Sequence, residues 1–159
     1  MLMYMTNKHF MRDIDSRVGE VLISHDFKLK KNSWYRHTED FIQVLNLQKS
    51  YFSDLYYLNI GLDVKPDNIS SYMPEYMFSV RGRAEMIIQN RELILSLDFT
   101  NDLSESDRQS KLNTLLVECV EFLNSIRSWT DFRKAIDNSS HPIHKAAITA
   151  SFKQLLTNH

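Results

Sequence analysis

Cysteine is almost missing from this chain. Among 159 residues only Cys119 carries a thiol, which excludes an intramolecular disulfide and a cysteine-built zinc site. Glycine and proline are scarce too, three of each, so the composition is not that of a linker or a low-complexity segment. No glycine-rich phosphate loop is present, and Arg81-Gly82-Arg83 fits neither a P-loop nor a dinucleotide fingerprint. Charge of one sign is not in surplus: 19 basic residues against 20 acidic ones leave a net charge of −1. That balance disfavours a nucleic-acid partner, which calls for a concentrated basic surface, and leaves room only for a local basic patch. No stretch approaches the ~20 apolar residues of a membrane-spanning helix. The first ten residues, MLMYMTNKHF, lack the basic and apolar regions of a secretory signal. The expected compartment is the cytoplasm.

What is present is an ordinary globular composition, 43% hydrophobic and 25% charged. A chain of this length can bury roughly 70% of its unfolded surface without a covalent staple. One domain spanning 1–159 is expected, of the α+β class. Residues 6–25 read as a helix, with Thr6 as N-cap and Phe10, Ile14, Val18, Val21 and Leu22 forming one apolar stripe.

Three strands follow, over residues 33–36, 41–49 and 55–64, joined by short turns that imply an antiparallel meander. The third alternates most clearly. Tyr56, Leu58, Ile60, Leu62 and Val64 share one face, and Tyr57, Asn59, Gly61 and Asp63 share the other. A fourth strand is expected over residues 76–83, where Gly82 suggests a bulge or a close backbone approach. Residues 84–99 suit strand or helix, and Asn90 as a cap favours a short helix around 90–97. The C-terminal third is helical, with its long helix capped by Ser104 or Ser106. The expected architecture is thus an antiparallel sheet of four strands or slightly more, covered on one face by N- and C-terminal helices.

No catalytic constellation can be read from the residues. His141 and His144 form an HxxH pair interrupted by Pro142, which reads as a cap and a surface residue rather than a metal site. Cys119 lies inside an apolar helical stripe, the setting of an inert thiol. Arg81 and Arg83 share one face of a strand and could hold an anion, with Glu85 and Asp98 as neighbouring carboxylates. No cofactor and no metal are expected.

Two other features stand out. Asn46, Gln48, Lys49 and Asn59 occupy strand positions that a half-buried sheet would fill with Val, Ile or Thr. Six aromatics, Trp34, Tyr35, Tyr51, Phe52, Tyr56 and Tyr57, fall within 24 residues, so one member of each adjacent strand pair must face away from the helices.

The spelling of several segments is similar to a known family. Asp26-Phe27-Lys28-Leu29-Lys30-Lys31, Trp34-Tyr35-Arg36, Asn46-Leu47-Gln48-Lys49-Ser50 and Tyr57-Leu58-Asn59-Ile60-Gly61 resemble the small bacterial proteins grouped as domain of unknown function 4304. Arg81-Gly82-Arg83 and Leu97-Asp98-Phe99 fit as well, so the resemblance spans most of residues 6–126. Asp26 stands where members usually have glycine. The resemblance implies an α+β fold and brings no activity with it. Small proteins of this kind are often encoded beside toxins as immunity proteins, an analogy of context rather than a property of these residues.

The expectation is therefore a non-enzymatic protein-binding module, most concretely an immunity protein that occludes a bacterial toxin. Its contact residues would be Trp34, Arg36, Gln48, Lys49, Tyr51, Tyr57 and Asn59. The alternatives are a small-ligand binder or enzyme using Arg81, Arg83, Glu85 and Asp98, and a homodimer pairing through the sheet.

Overall fold

The computed structural model describes residues 13–159. Its centre is one six-stranded sheet whose strands lie in chain order, each antiparallel to the next. They are β1 (Lys28–Lys30), β2 (Ser33–His37), β3 (Phe41–Lys49), β4 (Tyr56–Val64), β5 (Val80–Arg83) and β6 (Ala147–Ile148). Short turns join β1 through β4, whereas residues 65–79 lead from β4 to β5 and residues 84–146, with helices α2 to α5, lead from β5 to β6. The sheet extends one strand further at each end than the sequence suggested. At one end, Lys28–Lys30 pairs with β2 through a tight turn in which Lys31 adopts φ 57°. At the other, β6 contributes only two residues, too few for any periodicity to register.

The helices are α1 (Asp13–Ile23), α2 (Ala84–Ile87), α3 (Arg91–Ile94), α4 (Glu105–Asn124), α5 (Trp129–Asp137) and α6 (Ala150–Leu155). The helix expected over 6–25 is seen from Asp13, and its expected cap Thr6 and Phe10 lie outside the described residues. Caps set the boundaries that follow. Asn90, Ser104, Ser128 and Thr149 each accept a backbone N–H three residues on, satisfying one donor that a helix start leaves unpaired. The segment 84–99 is two short helices and a 3₁₀ turn at Leu95–Leu97, so the helical choice held there. The fourth strand is shorter than expected, because Glu75–Met77 forms a 3₁₀ turn and pairing begins at Val80. Asp26 takes φ 68°, the left-handed conformation that glycine adopts without cost, at the position where the resembling family has glycine.

The register assigns the faces. Trp34, Leu45 and Ile60 lie side by side across β2, β3 and β4 and point toward the helices. Beneath them pack Leu112, Leu115, Leu116, Cys119 and Leu123 of α4, all buried. An aromatic cluster closes one end of this core: Phe41 lies 5.0 Å from Trp129 and 6.0 Å from Phe152, centroid to centroid. Burial pushes the Cys119 thiol well above its ordinary range, as expected of an inert core cysteine. At Gly82 a close backbone approach replaces the expected bulge alternative. Its pairing is regular, a Cβ there would come within 2.9 Å of Ile87, and the Ala146 backbone passes 3.7 Å away.

The second face is not bare. Residues 65–79 cross it as a strap, burying Tyr35, Ile42, Val44 and Phe78 in a small cluster with Tyr72 and Met73. Gly61 makes this packing feasible, since a Cβ at that position would stand 2.7 Å from the Phe78 ring and 3.1 Å from the Val80 carbonyl. Tyr35 Oη anchors the strap by donating to the Met73 carbonyl at 2.7 Å. Helices therefore cover one face, and the strap covers part of the other.

Candidate functional site

Polar side chains interrupt both faces, with opposite consequences. On the helix-covered face Arg36 of β2 sits opposite Gln43 of β3. Arg36 is 5% exposed and Gln43 is fully buried. The guanidinium donates to Gln43 Oε1 at 2.7 and 3.0 Å and to Asn124 Oδ1 at 2.9 Å. Gln43 Nε2 donates to the carbonyls of Leu123 and Ile126 at 2.7 and 2.9 Å. These carbonyls belong to the end of α4 and the chain just beyond it, where the helix runs out of its own donors. The Phe27 ring lies against the guanidinium at 4.6 Å. Burial, with Arg127 nearby, lowers the Arg36 pKa to about 10, so it remains a cation at neutral pH. This network ties the sheet to the end of α4 and, through a bond from Arg36 to the His25 carbonyl at 3.2 Å, to the chain just past α1; Arg36 and Gln43 are buried within it, and Asn124 is its exposed member.

On the strap side, beyond the strap, a second network crosses four strands. Ser33, Asn46, Asn59 and Arg83 stand in register on β2, β3, β4 and β5. Asn46 Nδ2 donates to Ser33 Oγ at 2.9 Å, and Asn59 Nδ2 donates to Asn46 Oδ1 and to Gln48 Oε1, both at 3.2 Å. Gln48 lies opposite Tyr57, and the Arg83 guanidinium lies over the Tyr57 ring at 3.9 Å. Gln48 and Arg83 are exposed, Asn46 and Tyr57 half-buried, and Asn59 buried. No helix covers this row. One residue past the Gln48–Tyr57 pair the β3–β4 turn begins. At its tip Tyr51 is 96% and Phe52 98% exposed.

The expected contact residues therefore separate into two groups. Tyr51, Tyr57, Gln48 and Asn59 gather at one end of the strap-side face, with Lys49 exposed at the base of the turn. Trp34 and Arg36 belong to the interior: Trp34 is 2% exposed in the main core, and Tyr35, its neighbour, is the one facing away from the helices. Phe52, noted in the sequence only as one of the aromatics, proves to be the most exposed of the large hydrophobic side chains among the described residues.

Arg81, Arg83, Glu85 and Asp98 do not converge. Arg81 donates to the Tyr76 carbonyl at 2.6 Å and faces Glu75 at 3.5 Å. Arg83 stands 3.8 Å from Glu85, beyond hydrogen-bond reach. Asp98 accepts from the Thr100 hydroxyl and N–H, which hold its carboxyl below the usual range, and its own carbonyl accepts from Arg108. His141 caps the 3₁₀ turn at Pro142–Lys145 by accepting the Ile143 N–H at Nδ1, and His144 is exposed.

Gln43, Asn124, Glu75 and Arg108 were not anticipated. Gln43 had a signal: it alternates with Phe41 and Leu45 at the apolar positions of its strand. A cavity of about 310 Å³ lies elsewhere, among α5, α6 and the Pro142–Lys145 turn, floored by Phe132 and Ile143 with His144 and Lys153 at its walls. No group of acidic, histidine or cysteine side chains suited to a metal is found among the described residues, and no described helix is long and apolar enough to cross a membrane.

A family model described as domain of unknown function (DUF4304) matches residues 18–146. That span holds β1 to β5, α2 to α5 and α1 from Val18 onward, while β6 and α6 lie beyond it. No curated protein and no solved structure matches the chain.

Proposed function

From a chain that belongs to the DUF4304 family, we propose a non-enzymatic protein-binding module whose contact surface is the β3–β4 turn and the open polar row beside it. The observation that carries this reading is the pair Tyr51–Phe52, two adjacent rings almost wholly in water at a strand turn. An aromatic ring left in water forgoes roughly 1.5–3 kcal/mol of burial. Aromatics with this freedom are what protein interfaces enrich at their centres, ringed by polar groups such as Gln48 and Lys49. Ile69, Tyr76 and Met77 on the strap add further exposed apolar surface.

The finer reading is an immunity-type inhibitor acting in the cytoplasm, which binds and occludes a toxin encoded in the adjacent gene. The test is co-expression with that gene product. Growth rescue and co-elution on size exclusion are expected, and both should be lost in Tyr51→Ala/Phe52→Ala. An absence of rescue and of any complex with the unaltered chain contradicts the reading. A concentration-dependent dimer in light scattering, abolished by the same pair of substitutions, would assign the turn to a second copy of the chain instead.

A further inference from the structure

The two arginines of β5 share a face and a strand, yet only Arg81 donates a side-chain hydrogen bond to a described residue. Arg81 is engaged by the Tyr76 carbonyl and by Glu75, a buried carboxylate that anchors the strap. Arg83 donates no hydrogen bond to a described residue, and Glu85 approaches it only to 3.8 Å. Its guanidinium carbon lies over the Tyr57 ring, 3.9 Å from the centroid, a cation–π contact that leaves its N–H groups available. Nearly half of the side chain is exposed. A planar guanidinium held this way is prepared for two parallel hydrogen bonds to a carboxylate. Next to it, Gln48 spends its oxygen on Asn59, which leaves its amide N–H groups facing outward.

Resting on the protein-binding reading above, we infer that Arg83, backed by Tyr57 and flanked by Gln48, is the receptor for an aspartate or glutamate side chain on the protein partner. The turn then supplies apolar anchorage, and Arg83 fixes the register between the two chains. Arg81 is the internal control: it has the same charge on the same face, but it is occupied within the fold.

Titration calorimetry with the toxin domain of the adjacent gene tests this at low and at about 300 mM salt. Arg83→Gln should weaken binding at least tenfold and flatten its salt dependence. Arg83→Lys should restore only part of the affinity, because an ammonium cannot reproduce the bidentate plane. Arg81→Gln should lower thermal stability and leave affinity unchanged. Equal affinity for Arg83→Gln and the unaltered chain overturns the inference, as does an equal loss in both arginine variants.

If the unaltered chain fails to bind that domain, the functional reading falls, and a second arm decides Arg83 by itself. An octaglutamate peptide should shift the Arg83 Nε–H resonance in NMR spectra, with no shift from octalysine. No shift with octaglutamate, or a larger one with a short single-stranded oligonucleotide, overturns the carboxylate assignment.

Discussion

The two polar networks of this sheet use similar side chains and reach different ends. Under the helices, Arg36 and Gln43 are buried, and their side chains donate to partners at or beyond the end of α4 and, from Arg36, to the His25 carbonyl just past α1. On the strap side, hydrogen bonds run from Ser33 through Asn46 and Asn59 to Gln48, and Arg83 joins the row over the Tyr57 ring; Gln48 and Arg83 are both open to water. What separates them is not the residue type but what lies above it. A polar group beneath a helix terminus answers carbonyls that would otherwise be unpaired. A polar group with nothing above it keeps its remaining donors for an incoming surface. The buried network belongs to stability; under the proposed function the open one serves recognition.

Substitutions should separate the two accordingly. The largest effect is expected for Gln43→Leu, which removes two of the four hydrogen bonds of a buried guanidinium and the side-chain donor of the Leu123 and Ile126 carbonyls. A loss of about 3 kcal/mol, or about 10 °C in the thermal midpoint, is expected, and calorimetry reads it directly. A change below about 0.5 kcal/mol would mean that the network carries no structural load. Next is Gly61→Ala. A methyl group 2.7 Å from the Phe78 ring must lift the strap, at a cost of about 2 kcal/mol. Limited proteolysis should then cut within 65–79 before it cuts the helices.

On the open face, Asn59→Ala should cost only about 1 kcal/mol in urea unfolding, since its neighbours can turn to water. Tyr51→Ala/Phe52→Ala should leave stability within about 0.5 kcal/mol while removing at least about 2 kcal/mol of partner affinity. A comparable loss of stability would put the turn with the core.

The smallest expected effect is a pH dependence. His37 Nε2 is buried with no hydrogen-bond partner among the described residues, and burial, followed by the charges of Lys65 and Lys28, lowers its pKa. Burial and His144 lower that of His141. For a base whose pKa falls on folding, the unfolded chain takes up the proton first as pH drops. The stabilisation is therefore complete above about pH 6.5, the ordinary histidine value, and is lost as pH falls below it toward the lowered values. The thermal midpoint should decline from pH 7 to pH 5, and His37→Phe should shallow that slope. A slope unchanged in the variant would show that His37 does not contribute.

Much of this contrast could be read in the chain itself. The alternation from Tyr56 to Val64 assigns the two faces of β4, with Asn59 opposite the core, and Asn46 and Gln48 stand out as polar positions within a strand. Three things were not legible. Trp34 and Tyr35 are adjacent, and strand period alone does not say which of two large aromatics turns inward; the pairing Trp34–Leu45–Ile60 decides it. Arg36 looks like a surface residue in sequence because its partners, Gln43 and Asn124, are 7 and 88 positions away. The strap has no periodicity, and its grip on the second face depends on the missing Cβ of Gly61, which reads in sequence as a gap in a strand.

The most direct test of the division is amide hydrogen exchange on the chain alone and in complex with the proposed partner, the product of the adjacent gene. Binding at the open end of the sheet should slow exchange at residues 50–54 and at the Gln48, Tyr57 and Arg83 positions, with α4 and α5 unchanged. Protection confined to the helices, with the Tyr51–Phe52 turn exchanging as fast in the complex as alone, would contradict it.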